Sequence, residues 1–193
     1  MKYPLVVGFG HRKGRGKDTL AAMVKRDFEG RLWQTAFAKP LKDAARLLFG
    51  LTELDVDCPM HKARINKFWL MTPREILQKM GSESFRHVFG GDFWVKVFLA
   101  QLQQRMAYKQ SPEVVFVTDV RFPEEAKAIK KLGGVLVRVD RNLPKDEFDS
   151  HESETALKRY RGWDYIIDNN GTPEDLEKKA VALTKKLKKK LKG

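Results

Sequence analysis

The sequence contains a single cysteine, Cys58, and no long apolar run. One thiol excludes an intrachain disulfide, so the expected compartment is a reducing cytoplasm. A membrane-spanning helix needs about 20 consecutive apolar residues, and no segment approaches that length. The first residues, MKYPLVVGFG, also lack the apolar stretch and cleavage site of a secretory signal. We therefore expect a cytoplasmic protein with no membrane partner.

Acidic residues are in deficit. The chain has 25 Asp and Glu residues against 38 Lys and Arg residues, a net charge of +13. Such a balance favours nucleotides, nucleic acid or another anionic partner. Part of the excess is local, because KKLKKKLKG, residues 185–193, holds six lysines and the net charge without them is +13 − 6 = +7. We interpret this tail as a frayed, solvated helix end; an electrostatic arm for nucleic acid is the alternative.

Segments with strand character alternate with segments of helical spacing. Strands are expected within 3–9, 31–38, 113–120, 135–141 and 164–169, and helices within 17–30, 40–51, 72–89, 92–108, 123–134 and 172–191. The apolar run at 114–117 has no alternation, which is typical of a strand covered on both faces. The pattern predicts an α/β fold with a mostly parallel sheet of about five strands. Residues 52–70 are expected to be irregular.

The stretch GFGHRKGRGKDTLAAM, residues 8–23, places cations where side-chain bulk is small. A strand, a glycine-rich turn, Gly16-Lys17 and a helix form the context of a phosphate-binding loop. The backbone N–H groups of Gly14, Arg15 and Gly16 would point at phosphate oxygens. Lys17 would then reach the β- and γ-phosphates of ATP.

This loop departs from the usual GxxxxGK[ST] pattern. Asp18 follows the lysine, so the hydroxyl residue Thr19 comes one position late, and five residues rather than four separate Gly10 from Gly16. A basic turn in which Gly16 and Asp18 cap the helix is the alternative interpretation.

The GKDT sequence after a first strand resembles the phosphate loop of bacteriophage deoxynucleoside monophosphate kinases. Further stretches resemble segments of that family and occur in the same order along the chain, up to residue 176. They are FAKPLKDAARLLFGL, LMTPREILQKMGSESFRHVFGGDFWV, VVFVTDVRFPEEAKAIKKLGG, HESETAL and DYIIDNNGT. The departures are His11 in the long loop and Lys39. The resemblance implies one kinase domain over 1–193 with a P-loop NTPase-type three-layer fold. It also implies a helical acceptor-binding insert at about 40–105 and a lid at about 142–162.

The implied reaction transfers the γ-phosphate of ATP to a dNMP with Mg²⁺, in the host cytoplasm if the gene is a phage gene. Phosphoryl transfer needs positioning and positive charge more than covalent help. Thr19 is the candidate Mg²⁺ ligand, with Asp119 as a further holder of the ion through water. The catalytic candidates are Lys17, Asp119 and Arg121. The ATP-binding candidates are Gly14, Arg15, Gly16, Lys17, Asp18, Thr19, Arg141, Asn169 and Asn170.

The acceptor nucleotide needs its own contacts. The candidates are Asp18, Arg74, Arg86, Asp119, Arg121 and Glu125. Arginine suits bidentate phosphate contact. Each candidate also has a purely structural interpretation. Arg74 and Arg86 could be surface arginines, Asp119 could cap a helix, and Arg121 could form a local salt bridge with Glu125.

In the lid, Arg159 and Arg161 could reach phosphates on closure, and His151 and Ser153 would shape or cap its helix. The aromatic residues Trp69, Phe85, Phe93 and Trp94 are more often core than base-stacking residues. Two other functions stay open: a basic nucleic-acid-binding module, and another P-loop kinase acting on a nucleoside or on dephospho-coenzyme A. Cations clustered at strand ends favour a kinase that needs no nucleic acid. A homodimer stays open.

Overall fold

The computed structural model describes residues 3–10, 12, 14–109, 111–144 and 152–192. His11 and His151 lie outside the described residues, as does the side chain of Ser153. The chain divides into two compact units. Met1–Ala36 with Leu102–Gly193 form the first, which we call the sheet unit, and Phe37–Gln101 form the second, the helical unit.

The sheet unit is built on five strands. They are β1 Leu5–Gly10, β2 Leu32–Thr35, β3 Val114–Val120, β4 Val135–Asp140 and β5 Tyr165–Asp168. Their order across the sheet is β2-β3-β1-β4-β5, and each neighbouring pair is parallel. The α/β prediction with a mostly parallel sheet of about five strands is confirmed.

Helices occupy most of the remaining described chain. They are α1 Lys17–Arg26, α2 Lys39–Phe49, α3 Glu53–Asp57, α4 Pro59–Lys62, α5 Pro73–Gln78, a π-helix Lys79–Arg86, α6 His87–Phe89, α7 Phe93–Met106, α8 Pro123–Lys131, α9 Glu152–Thr155 and α10 Pro173–Lys192. None of these described helices combines the length and the apolar character that a membrane crossing requires.

Both faces of the sheet are covered, which explains the apolar runs in the strands. On one face, Val7 and Phe9 of β1 share a core with Leu20 of α1 and Leu183 of α10. Each such buried side chain contributes about 1.5–3 kcal/mol. On the other face, a Cβ at Gly8 would lie 2.5 Å from Cδ1 of Ile129 in α8. Glycine is therefore required where α8 packs closely on β1.

Residues 185–192 are not a frayed helix end, so the interpretation of the tail is wrong over this range. Helix α10 continues to Lys192, Leu187 is fully buried, and Leu191 packs against the same core. Two apolar residues among the lysines dock the last turns of the helix. The lysines at 185, 189 and 192 are exposed.

The helical unit has a core of its own. It is formed by Leu41, Ala45, Leu51, Val56, Ile76, Met80 and Trp94. The expectation that 52–70 is irregular is wrong in its first part, because α3 and α4 lie there. The side chain of Thr52 accepts a hydrogen bond from the N–H of Asp55, and the Asp55 carboxylate accepts one from the N–H of Thr52. Both α3 and α4 thus start with recognised signals, a capping box and Pro59 at the first helical position.

The expected long helix at 72–89 is interrupted. A capping box starts this segment, since Thr72 and Glu75 exchange the two hydrogen bonds that define it. After α5, however, the chain passes through the π-helix before α6. The carbonyl oxygen of Gly81 in the π-helix accepts a hydrogen bond of 3.1 Å from Nε1 of Trp94. π-helical turns are rare and occur frequently at functional sites.

Candidate active site

The carboxyl ends of the parallel strands meet at one edge of the sheet, where open α/β sheets bind ligands. The glycine turn follows β1, Arg121 follows β3, Arg141 follows β4 and Asn169 follows β5. The fold therefore gathers several predicted residues of the sheet unit at this edge, although they are up to 154 positions apart in the chain.

The glycine turn has the backbone that its sequence suggests. Gly14 has a φ of 74° and Gly16 a φ of 94°, values that a residue with a side chain adopts only with strain. Gly16 is the N-cap of α1, and its carbonyl oxygen accepts the first helical hydrogen bond, 2.9 Å from the N–H of Leu20. The N-terminal N–H groups of α1 start directly after this turn, which is the arrangement that binds anions.

Lys17 is the first residue of α1 and is only 5% exposed. Its Nζ lies 3.0 Å from Oδ2 of Asp18, whose side chain is 72% exposed. The ammonium group is thus buried next to the glycine turn and balanced by an exposed carboxylate. A phosphate group arriving at the turn would offer Lys17 a second anion.

Asn169 holds the glycine turn from the far end of the sequence. Its Nδ2 donates a hydrogen bond of 2.9 Å to the carbonyl oxygen of Arg15. Its own N–H donates to the carbonyl oxygen of Asp140 at the end of β4, at 2.7 Å. Asn169 is buried; its side chain bonds the glycine turn, and its backbone is bonded to the end of β4. The sequence analysis named Asn169 only as an ATP-binding candidate and gave it no structural role.

Asn170 is exposed and organises the neighbouring loop. Its Oδ1 accepts a hydrogen bond of 2.7 Å from the N–H of Asn142. Its Nδ2 donates to Asp168, and this bond, with a contribution from Lys179, holds the pKa of the Asp168 carboxyl below its ordinary value. Arg141, between β4 and this loop, is exposed to solvent.

Asp119 sits at an irregularity of β3. Gly8 of β1 pairs with Val117 and Gly10 with Val120, so β3 has one extra residue at this point. Such bulges redirect side chains and are common next to active sites. A Cβ at Gly10 would lie 2.6 Å from the carbonyl oxygen of Val120, so the two strands approach closely here. The N-cap of α8 is Phe122, which excludes Asp119 in that structural role.

Arg121 is held by two buried glutamates. The carboxylate of Glu125 accepts hydrogen bonds from the N–H of Arg121 at 2.8 Å and of Phe122 at 3.0 Å. The ion pair of the Arg121 side chain is formed by Nη1 with the carboxylate of Glu154 in α9. The contact of Glu125 with Arg121 that the structure gives is thus a hydrogen bond from the backbone of Arg121. Glu154 was missed because its distance of 33 residues from Arg121 leaves no local spacing to detect.

The acceptor candidates Arg74 and Arg86 belong to the helical unit. Arg74 is in the first turn of α5, just after Pro73, and Arg86 ends the π-helix. Both side chains are half-buried. The capping box of Thr72 and Glu75 fixes the start of the helix that presents Arg74, and the backbone N–H of Thr72 holds the pKa of the Glu75 carboxyl below its ordinary value.

The aromatic candidates pack mainly on one another. Ring centroids of Phe85, Phe89, Phe93 and Trp94 lie 4.8–5.9 Å apart in contacting pairs. Trp69 contacts Phe49 and Phe68, and its Nε1 donates to the carbonyl oxygen of Phe49 at 2.9 Å. These contacts are those of core residues, which agrees with the interpretation that the aromatic side chains pack in a core and do not stack on a base.

Of the segment expected to form a lid, the structure describes residues 142–144 and 152–162. Arg159 and Arg161 are exposed. Between them, the ring of Tyr160 packs edge-on against Trp163 with centroids 5.5 Å apart, and burial raises the pKa of its hydroxyl. The two arginines are thus placed on either side of an anchored aromatic residue.

Oxygen donors available for a metal ion are few. In the part of the chain that the structure describes, no three His, Cys, Asp or Glu side chains converge to hold a metal. Thr19 in the first turn of α1 carries a hydroxyl, and Asp119 at the bulge carries a carboxylate. Each is an oxygen donor of the kind that Mg²⁺ takes, and this ion also retains waters and uses substrate phosphates as ligands.

Comparisons with known proteins identify the family of the chain. Residues 62–180 match the family described as deoxynucleotide monophosphate kinase. The chain is similar to a protein of Acanthamoeba polyphaga mimivirus assigned as a deoxynucleotide monophosphate kinase, with 28% identity over 92% of this chain and 95% of the relative. It is also similar to the deoxynucleotide monophosphate kinase of Escherichia phage RB69, with 29% identity over 60% of this chain and 45% of that protein.

Among solved structures, dephospho-CoA kinase from Campylobacter jejuni has a similar fold. The TM-score is 0.51 at 16% identity, covering 95% of this chain and 97% of that one. This likeness shows a P-loop kinase fold, and the family match covers more than half of the sequence. The chain belongs to the deoxynucleotide monophosphate kinase family.

Proposed function

We propose that this protein transfers the γ-phosphate of ATP to a deoxynucleoside monophosphate, giving ADP and a deoxynucleoside diphosphate. The observation that carries the proposal is the buried Lys17 at the start of α1, directly after a turn with two positive-φ glycines, in a chain of this kinase family. A fold likeness to other P-loop kinases does not identify the acceptor.

The glycine turn and α1 form the ATP end of the proposed site. The N–H groups at Gly14, Arg15 and Gly16 and at the helix start bind phosphate oxygens. Lys17 exchanges its contact with Asp18 for the β- and γ-phosphates, where its charge compensates the negative charge that spreads during transfer. Asn169 keeps the turn in place, and Arg141 and Asn170 contact the adenine side.

The end of β3 forms the acceptor end. Asp119 and Arg121 contact the acceptor nucleotide, with Arg121 placed by Glu125 beneath its backbone. The helical unit supplies Arg74 and Arg86 for the acceptor's phosphate. Arginine suits this role because its planar fork matches the phosphate oxygens in pairs.

Thr19, and Asp119 through a water molecule, would hold Mg²⁺ against the nucleotide phosphates. The ion supplies charge neutralisation and orientation of the phosphates when bound. Arg159 and Arg161 complete the phosphate contacts from the lid segment and exclude water from the reacting groups.

One assay tests the proposal. The purified protein is incubated with ATP and Mg²⁺ and with each common dNMP in turn, and ADP release and product formation are followed. Dephospho-coenzyme A and deoxynucleosides serve as competing acceptor classes. We expect phosphorylation of dNMPs. Transfer to one of the other classes without transfer to any dNMP would reject the proposed acceptor while retaining a P-loop kinase.

A further inference from the structure

The ion pair between Arg121 and Glu154 joins two parts of the sheet unit that are far apart in sequence. Arg121 directly follows β3, and Glu154 lies in α9, which precedes the exposed arginines at 159 and 161. The Glu154 side chain is 8% exposed and the Arg121 side chain 26%. Only the arginine side of this pair therefore offers substantial surface to a ligand.

Burying a carboxylate is costly unless a cation or hydrogen-bond donors compensate it. A buried glutamate next to an arginine also weakens the attraction of that arginine for phosphate. A chain that used Arg121 only as a positive charge would do better with a neutral residue at 154. The pair is therefore better explained by control of the position of the guanidinium.

The two glutamates around Arg121 hold different parts of this residue. Glu125 is 3% exposed and fixes the backbone N–H of Arg121. Glu154 holds the guanidinium itself. With both ends restrained, the long arginine side chain loses little rotamer freedom on binding a ligand, which is the advantage of a preorganised site.

We propose that Glu154 is a positioning residue that orients Arg121 toward the acceptor nucleotide. The inference rests on the proposed function, because it takes Arg121 as an acceptor contact. It adds a role for α9, which joins the acceptor end of the site to the segment carrying Arg159 and Arg161. Loss of the pair releases the guanidinium without removing it.

The test is a set of steady-state measurements on the full chain with dGMP and ATP varied separately. In Glu154→Gln the KM for dGMP is expected to rise about tenfold, the size of losing one hydrogen bond between charged groups. The KM for ATP should change less than about twofold, because the glycine turn and Asn169 hold the ATP end independently. Glu154→Asp, which keeps the charge on a shorter side chain, should restore part of the loss.

Glu152→Gln is the matched control. It makes the same change of charge on the same helix at an exposed position, so its kinetic constants should equal those of the parent. A double-mutant cycle separates positioning from folding. In an Arg121→Ala background, Glu154→Gln should no longer change the KM for dGMP, because nothing remains for Glu154 to orient.

The outcomes distinguish the two levels of the proposal. A parent protein that phosphorylates no dNMP overturns the proposed function. A parent that is active, with Glu154→Gln kinetically equal to it, overturns the positioning role alone. Equal rises in both KM values, or effects of the two substitutions that add, would show that Glu154 supports the fold and does not orient Arg121. Should Glu154→Gln fail to fold, the KM values for dGMP and ATP are compared in Glu154→Asp instead.

Discussion

The side-chain amide of Asn169 donates a hydrogen bond of 2.9 Å to the backbone carbonyl of Arg15. A Cβ at Gly16 would lie 2.3 Å from the same nitrogen, so amide and turn are in close contact. This bond fixes the glycine turn, to which we assign the phosphates of ATP in the proposed function.

Asn169→Asp should therefore impair ATP binding. The substitution replaces the donating nitrogen with an anionic oxygen facing a carbonyl oxygen, and it adds negative charge near the bound phosphates. We expect the KM for ATP to rise roughly tenfold or more. Asn66→Asp is the control, because Oδ1 of Asn66 accepts from the N–H groups of Phe68 and Trp69 and an aspartate retains that acceptor. An unchanged KM for ATP in Asn169→Asp would show that the turn holds its shape without this bond.

Lys17→Ala should abolish phosphoryl transfer while the fold persists. The residue is expected to stabilise charge in the transition state, and losing one such group lowers kcat by roughly 10²–10³-fold or more. Lys25→Ala removes an exposed lysine from the last turn of the same helix and should leave kcat unchanged. Fixed-time kinase assays measure kcat, and thermal melts show whether the variant is folded. A normal kcat in Lys17→Ala would remove the glycine turn from the mechanism.

Acceptor choice should show a moderate preference for deoxyribose. A dNMP offers no 2′-hydroxyl to bind, and a pocket that only excludes a hydroxyl discriminates weakly, by about 10²-fold at most. Several bases should be accepted, since the arginines assigned to the acceptor in the proposed function would contact its phosphate and not its base. We expect Asp119→Asn and Arg121→Ala to raise the KM for dGMP and dTMP more than the KM for ATP, with GMP a poor substrate throughout.

Arg31→Ala is the control for these acceptor variants, because Arg31 pairs with Glu113 just before the start of β3, at the opposite end of that strand. A rise confined to the KM for ATP would contradict the assignment of the β3 end to the acceptor. Equal use of GMP and dGMP by the parent would contradict the deoxyribose preference.

The capping box at Thr72 predicts a pH-dependent contribution to stability. The pKa of Glu75 is lowered from 4.5 by hydrogen bonds from Thr72. Its ionised carboxylate therefore stabilises the folded state fully above pH 4.5, and this contribution is lost as the pH falls through the lower folded-state pKa. Glu75→Ala should lower Tm by a few degrees at pH 7, and the difference from the parent should shrink below pH 4.5.

Glu83→Ala removes an exposed carboxylate that pairs with Lys79 at 3.6 Å in the same unit. It should change Tm little at either pH. A Glu75→Ala deficit that stayed constant from pH 7 to pH 3 would show that the carboxylate does not contribute through its charge.

The lysines of α10 should matter little for catalysis, whereas its leucines should matter for stability. Replacing Lys185, Lys189 and Lys192 together by Gln removes like charges at neighbouring turns and should leave kcat and both KM values unchanged. Leu187→Ala should cost about 2–5 kcal/mol of unfolding free energy, because its side chain is fully buried. Denaturant melts measure the second effect. Loss of most of kcat in the lysine variant would make the tail part of the site.

The sheet was predictable because its signals are local. The apolar run at 114–117 and the strand–turn–helix at 5–26 each lie within one short continuous segment of the chain. The sequence Thr72-Pro73-Arg74-Glu75 indicates a helix start. The elements α3 and α4 also carried their signals, a capping box and a proline, but they are too short to show apolar periodicity.

The partners within the site were not predictable in the same way. Glu154 reaches Arg121 and Asn169 reaches Arg15 only after the strands are ordered side by side. No periodicity or spacing encodes a contact across 33 or 154 residues. The π-helix was not predicted because its sequence does not differ in spacing from that of an ordinary α-helix.

The central position of β1 in the sheet affects the order in which the chain folds during its synthesis. Both neighbours of β1 come late in the sequence, at Val114–Val120 and Val135–Asp140. At synthesis rates of about 5–20 residues per second, the first strand waits roughly 5–20 s for its first partner. During that time Phe37–Gln101, whose core is made within its own length, can form first. The glycine turn is therefore synthesised before β3 and β4, and the strand that precedes it gains its neighbours only when they arrive.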